Sequence, residues 1–204
     1  MPGQFNFSKA CNIGVTAAKH ELILLLNNDV EPLHSDWLGQ MARELEHEGV
    51  GACGALLLFP DGFIQHGGVT LGMGSVARHT FHFKHPGSPE NLGLIAQRRE
   101  VSAVTAACLL TRKSLWTSVD GMNESALPVA FNDVDYCLKL LSHRKKIIWT
   151  PHAKLTHLES VSRRSDDTPE KMRRFASEEK YMHDKWGQLL LNDPCYNPNL
   201  SLSG

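Results

Sequence analysis

Two unbroken apolar runs, "ELILLL" at 21–26 and "VGACGALLLF" at 50–59, constrain the fold more than any other feature. A strand with one wet face alternates apolar and polar residues, whereas a strand apolar at every position asks to be covered on both faces. Between the two runs lies "SDWLGQMARELEH", an amphipathic pattern that puts Trp37, Leu38, Met41 and Leu45 on one helical face. Strand, helix and strand in succession imply an α/β fold, a sheet flanked by helices. With 204 residues and 42% hydrophobic content the chain can bury a real core, as one domain or one with a small appendage.

The rest of the chain extends the alternation. "NFSKACNIGVTAAKH" reads as a helix capped by Asn6 or Ser8. "PDG" at 60–62 is a turn leading to "FIQHGGVTLG", and from Gly72 to Arg99 the pattern fades into a long loop. "VSAVTAACLLT" restores a buried segment, "RKSLWTSV" a short helix, and "NDVDYCLKLLSHR" a helix with Leu138 and Leu141 inward. "KKIIWTP" and "AKLTHLE" read as two short strands, and "TPEKMRRFASEEKYMHDKWG" as a charged helix.

Lys and Arg total 21 against 22 Asp and Glu, a formal charge of −1, so nothing global points to nucleic acid. Five cysteines, an odd number without any CxxC, suggest buried free thiols in a reducing compartment. The N-terminus has no apolar signal core and no stretch approaches a membrane span. A cytoplasmic protein is expected, with peripheral contact at the inner face of the membrane left open by the basic "HRKK" and "SRR" clusters.

Three polar groupings follow apolar elements: Asn27-Asn28-Asp29, Asn132-Asp133-Val134-Asp135, and His157 in "LTHLES". Singly each has an ordinary explanation: a turn former, a helix N-terminal acid, a half-buried histidine. Ligands of open α/β folds bind beyond the carboxyl ends of strands, where such groups would gather.

In this order, "FNFSKACNIGVTAAKHELILLLNNDVEPLHSDWL", "SAVTAACLLTRKSLW", "FNDVDYCLKL" and "HLESVSR" resemble inverting family 2 glycosyltransferases of the GT-A fold, most closely the rhamnosyltransferase-like, O-antigen-type subgroup. The resemblance implies transfer of a sugar from a nucleotide-sugar donor to a saccharide or lipid-linked acceptor in cell-surface polysaccharide synthesis. It implies a divalent cation, Mn²⁺ or Mg²⁺, at Asn27 and Asp29 in the DxD position, with His157 as a further ligand. Hard oxygen ligands suit such a cation, which neutralises charge on the departing diphosphate. Asp133 matches the general base. Asn132 stands where the family has Glu, and Asp135, grouped with the substrate-binding residues, is a structural or orienting acid. Thr105, Ala106 and Ala107 match a small-residue segment beneath the sugar, Asn28 lies within reach of substrate, and Arg163 and Arg164 either reach phosphate or stay a solvated surface charge.

The family begins some 80 to 100 residues earlier. Residues 1–186 therefore correspond to the C-terminal two-thirds of a GT-A domain, a partial GT-A fold, and residues 187–204 to an irregular tail. The chain would then be a truncated product, a shortened fragment or one piece of a split enzyme. The flank of "ELILLL" would be left open to an N-terminal-half partner or to self-association. Two other readings stand beside transfer: a catalytically inactive remnant, and a metal-dependent hydrolase built on Asp29, Asp133 and His157. His66, His79, His82 and His85 are read as a loop over the acceptor site rather than a zinc site.

Overall fold

The computed structural model describes residues 5–158 and 168–200. Helix α1 (Phe7–Ala17) starts at Asn6, whose side chain accepts the Lys9 N–H, and leads into strand β1 (Leu22–Leu26) and the short β2 (Val30–Pro32). Helix α2 (Trp37–Glu46) precedes the long β3 (Val50–Leu58), the short β4 (Ile64–His66), and the hairpin β5 (Val69–Leu71) and β6 (Ala77–His79). After two short 3₁₀ turns come β7 (Arg99–Val101), β8 (Cys108–Arg112), α3 (Lys113–Ser118), α4 (Asn132–Ser142), β9 (Lys146–His157) and α5 (Pro169–Leu191).

The main sheet runs β1-β8-β3-β9-β2, with β4 beside one end of β3 and β7 beside one end of β9. β3 and β9 are parallel, and β8 is antiparallel to both β3 and β1. β1, β3 and β9 therefore point the same way, and their carboxyl ends share one edge of the sheet. Cys53, Ala55, Leu57, Ile148 and Leu155 pack against Met41 and Leu45 of α2 on one face. Ala52, Leu56, Ile147 and Trp149 face α3, α4 and α5 on the other.

Several expectations are corrected. "ELILLL" is not buried on both faces: β1 is an outer strand paired only with β8 among the described residues, and Leu22 and Leu26 are 44% and 41% exposed. Leu38 is exposed, while Glu44 turns inward and pairs with Arg98. The segment from Gly72 to Arg99 is not one loop, since it contains β6 and both 3₁₀ turns. "KKIIWTP" and "AKLTHLE" are one strand, because a register shift after Thr150 absorbs Pro151 and lets pairing with β3 resume at Lys154. Helix α5 continues to Leu191, into the segment read as tail, because Leu189 and Leu190 still find the core.

Candidate functional site

The shared strand edge collects most of the singled-out side chains. Asn27, Asn28 and Asp29 form the turn after β1, and β2 returns beside β9 with Val30 opposite His157. That pairing carries Asp29 onto the imidazole: His157 Nε2 is 3.1 Å from Asp29 Oδ1 and 3.3 Å from Asn27 Nδ2. His157 is only 8% exposed, and its Nδ1 lies 2.6 Å from Gln65 Oε1 on β4. Asn28 stays exposed at the turn.

Thr105, Ala106 and Ala107 form the approach to β8 and join this cluster to the start of α4. Ala107 O accepts the Asn27 N–H (3.0 Å), and the Ala106 N–H donates to Asp133 Oδ2 (2.9 Å). Asp133 Oδ1 accepts the Val134 N–H (2.8 Å), so each carboxylate oxygen keeps a further lone pair able to accept. The small side chains have a packing reason too. A Cβ on Gly54 would sit 2.5 Å from Val104 Cβ, so the segment lies hard against β3.

Asp133 is aimed by an unusual turn. Phe131, immediately before α4, has φ of 58°, a left-handed conformation rare for a bulky residue. Such strain persists only where the surroundings over-determine it. Here Glu178 of α5, with its side chain fully buried, accepts the N–H groups of Val129 (2.8 Å) and Ala130 (2.9 Å), and Asp135 N–H closes onto Phe131 O (2.8 Å). Asn132 is buried and donates to Val129 O, bracing the same turn rather than facing the cluster. Asp135 is not brought to the cluster. It is fully buried and accepts Lys185 Nζ and Trp186 Nε1, each at 2.8 Å, which docks α5 on α4. Arg163 lies outside the described residues, as does Arg164.

The histidine-rich region divides. His66, His79 and His82 pack edge to face, with centroids 4.8 and 5.8 Å apart, while His85 meets Phe63 instead. His66 is completely buried, and its Nε2 accepts the Thr105 N–H (3.4 Å). Burial pushes its pKa well below the ordinary imidazole range, aided by the charges of His79, Arg99, His157 and His82. Cys11 of α1 lies near Asp133, and burial, then that carboxylate, raise its thiol to about 11. An apolar groove of ≈ 460 Å³ between α1 and β1 ends at Asn27 and Ala106, so it opens onto the cluster. Sequence reasoning missed Gln65 and Glu178. Neither belongs to a recognisable motif, and each acts across a long stretch of chain.

Among the described residues no three His, Cys, Asp or Glu side chains are grouped to hold a metal ion by themselves. Asp29 and His157 supply two donors; the Asn27 amide turns its nitrogen toward His157, so its oxygen becomes a third only when the amide rotates. This open set fits a hard cation that shares its coordination sphere with water and substrate oxygens.

The backbone superposes on GalNAc-T7 solved with UDP, GalNAc and Mn²⁺, with a TM-score of 0.63 over 90% of this chain and 37% of that one, at 11% identity. It also superposes on the mannosyltransferase PcManGT from Pyrobaculum calidifontis, in complex with GDP-Man and Mn²⁺, with a TM-score of 0.53 over 93% of this chain and 52% of that one, at 12% identity. The fold is that of a GT-A glycosyltransferase. No protein-family model matches the chain. In sequence the chain is 45% identical over 201 residues to the uncharacterized protein y4gI of Sinorhizobium fredii (strain NBRC 101917 / NGR234), and 34% identical over 203 residues to the O-antigen biosynthesis protein RfbC of Myxococcus xanthus. These matches take in 97% and 98% of this chain but only 22% and 15% of the relatives' lengths. Among the described residues of this GT-A fold, no helix is long and apolar enough to cross a membrane.

Proposed function

We propose that the chain is the metal-and-acceptor portion of an inverting, family 2-like glycosyltransferase acting in cell-surface polysaccharide synthesis. The observation that carries this reading is the convergence of Asn27, Asp29 and His157 with the Asp133 turn, linked through Ala106 and Ala107, at the carboxyl edge of a GT-A sheet. The Mn²⁺ complexes of both structural neighbours and the name of the Myxococcus relative support it.

Asp29, His157 and Asn27 would hold a divalent cation, Mn²⁺ or Mg²⁺. When bound, it supplies positive charge against the diphosphate of the donor. Asp133 takes the proton from an acceptor hydroxyl of a saccharide or lipid-linked saccharide. The freed oxygen bonds to the anomeric carbon as the bond from that carbon to the diphosphate breaks, and the nucleoside diphosphate leaves. Displacement in one step inverts the anomeric centre. Ala106 and Ala107 leave room for the sugar, and the Ala106 N–H orients the base.

Two measurements test this. Mn²⁺ titration is expected to show weakened binding in Asp29→Ala and strengthened binding in Asn27→Asp, where a carboxylate restores ligand charge. Unchanged affinity in both removes this turn from the metal site. Transfer measured with nucleotide-sugar donors, in a preparation competent for it, is expected to fall about 10²–10⁴-fold in Asp133→Asn while donor binding persists. Wild-type turnover in that variant would remove Asp133 from the base role.

A further inference from the structure

Gln65 occupies an irregular position. β4 pairs with β3 through Leu57–His66 and Leu58–Ile64, so Gln65 is the extra residue of a β-bulge. Bulges re-aim side chains and recur beside active sites. This one turns a 3%-exposed amide onto His157, with Gln65 Oε1 2.6 Å from His157 Nδ1. Gln65 is anchored from behind, because its backbone carbonyl accepts His79 Nδ1 (2.9 Å).

We propose that Gln65 is a positioning residue that holds the proton of His157 on Nδ1 and aims the Nε2 lone pair into the space shared with Asp29 and Asn27. The two amides around the ring agree on this tautomer: the Gln65 oxygen accepts from Nδ1, and Asn27 Nδ2 lies 3.3 Å from Nε2, where it donates. The opposite tautomer would let Nε2 donate to Asp29 Oδ1, but it would set acceptor against acceptor at Gln65 and donor against donor at Asn27. Both amides would have to reverse to support it. With Nδ1 protonated, Nε2 and Asp29 Oδ1 are two electron-pair donors 3.1 Å apart, which a shared cation reconciles as the Asn27 N–H yields the Nε2 lone pair to it. Metal-binding histidines are commonly oriented by a hydrogen bond from the other ring nitrogen. The consequence for metal affinity and the relief of the Nε2–Asp29 approach by a cation rest on the reading of the preceding subsection; the Nδ1 proton rests on the Gln65 and Asn27 amides.

The experiment is ¹⁵N NMR of the histidine-labelled full chain, at a pH where imidazole is neutral, with Mn²⁺ titration and thermal melting alongside. Wild type is expected to show His157 protonated on Nδ1. Gln65→Leu is expected to move the proton to Nε2 and weaken Mn²⁺ binding about 10–100-fold, and Gln65→Glu to keep the Nδ1 proton with Mn²⁺ affinity at or above that of wild type. A wild-type ring protonated on Nε2 overturns the proposal, and so does a folded Gln65→Leu that keeps its proton on Nδ1. If Gln65→Leu fails to fold, the Gln65→Glu variant decides, since loss of the Nδ1 tautomer there overturns the proposal equally. A wild type with the Nδ1 tautomer but no Mn²⁺ binding upholds the role of Gln65 and overturns the metal reading instead.

Discussion

The two flanks of the sheet are built differently. On the α5 flank, buried carboxylates reach out and satisfy distant groups. Glu178 holds the Val129–Ala130 turn, Asp135 holds Lys185 and Trp186, and Asp193 accepts the Leu71 N–H and the Ser102 hydroxyl. On the β1 flank, the outer strand shows an open groove its apolar side chains and an edge unpaired among the described residues, although α1 is tied inward by Asn12 to Trp116, Met122 and Glu124. The candidate site straddles the two. Asn27 and Asp29 come from the open flank, and Asp133 from the braced one. The proposed base is locked in place by its own surroundings, while the proposed metal turn borrows its rigidity from β9 and β4 through His157 and Gln65.

The largest expected effect breaks the brace. Glu178→Ala leaves two half-buried N–H groups without their acceptor, each worth up to about 1–3 kcal/mol. A loss of about 3 kcal/mol is expected by denaturant unfolding, with Glu178→Gln losing less because its carbonyl still accepts. A loss below about 0.5 kcal/mol, the usual size for a neutral surface change, would erase the contrast between the flanks.

A smaller effect comes from His66, which joins the flanks through the Thr105 N–H. Its folded-state pKa lies below the ordinary value of 6.5, so on acidification the unfolded chain takes a proton that the folded chain refuses. Stability should be full above about pH 6.5 and fall below it, by at most about 1.4 kcal/mol per pH unit for this group. His66→Gln should flatten that part of the profile. An unchanged slope would show that His66 is not held neutral.

The smallest effect on stability is expected at the open edge. Leu22→Lys, at a 44%-exposed position, should change unfolding free energy by no more than about 0.5 kcal/mol. An unpaired apolar edge templates strand addition, and an edge lysine opposes it. Light scattering should therefore show less self-association in Leu22→Lys than in wild type. Equal association in the two would place the contact elsewhere.

The elements were largely legible because their signals are local. The β3 run, the Asn6 cap and the α4 periodicity each lie within a dozen residues. The misreadings share a cause. Burial of β1 depends on what lies beside it, and Leu38 and Glu44 exchange places because Arg98, far along the chain, offers the carboxylate a partner. For the site, the motif residues could be named in advance, but the partners of Asp135 could not, since Lys185 and Trp186 meet it only after α5 docks.

The sequence by itself determined the α/β class, the order of the elements and the chemistry available at the strand ends, because apolar periodicity and residue type are properties of short segments. The tertiary structure decided which side chains meet. His157 reaches Asp29 across 128 residues, and Gln65 reaches His157 across 92. Those meetings follow from strand order, from parallel pairing of β3 with β9, and from one extra residue in β4. No local pattern encodes them, since each reflects the free energy of the whole packed sheet.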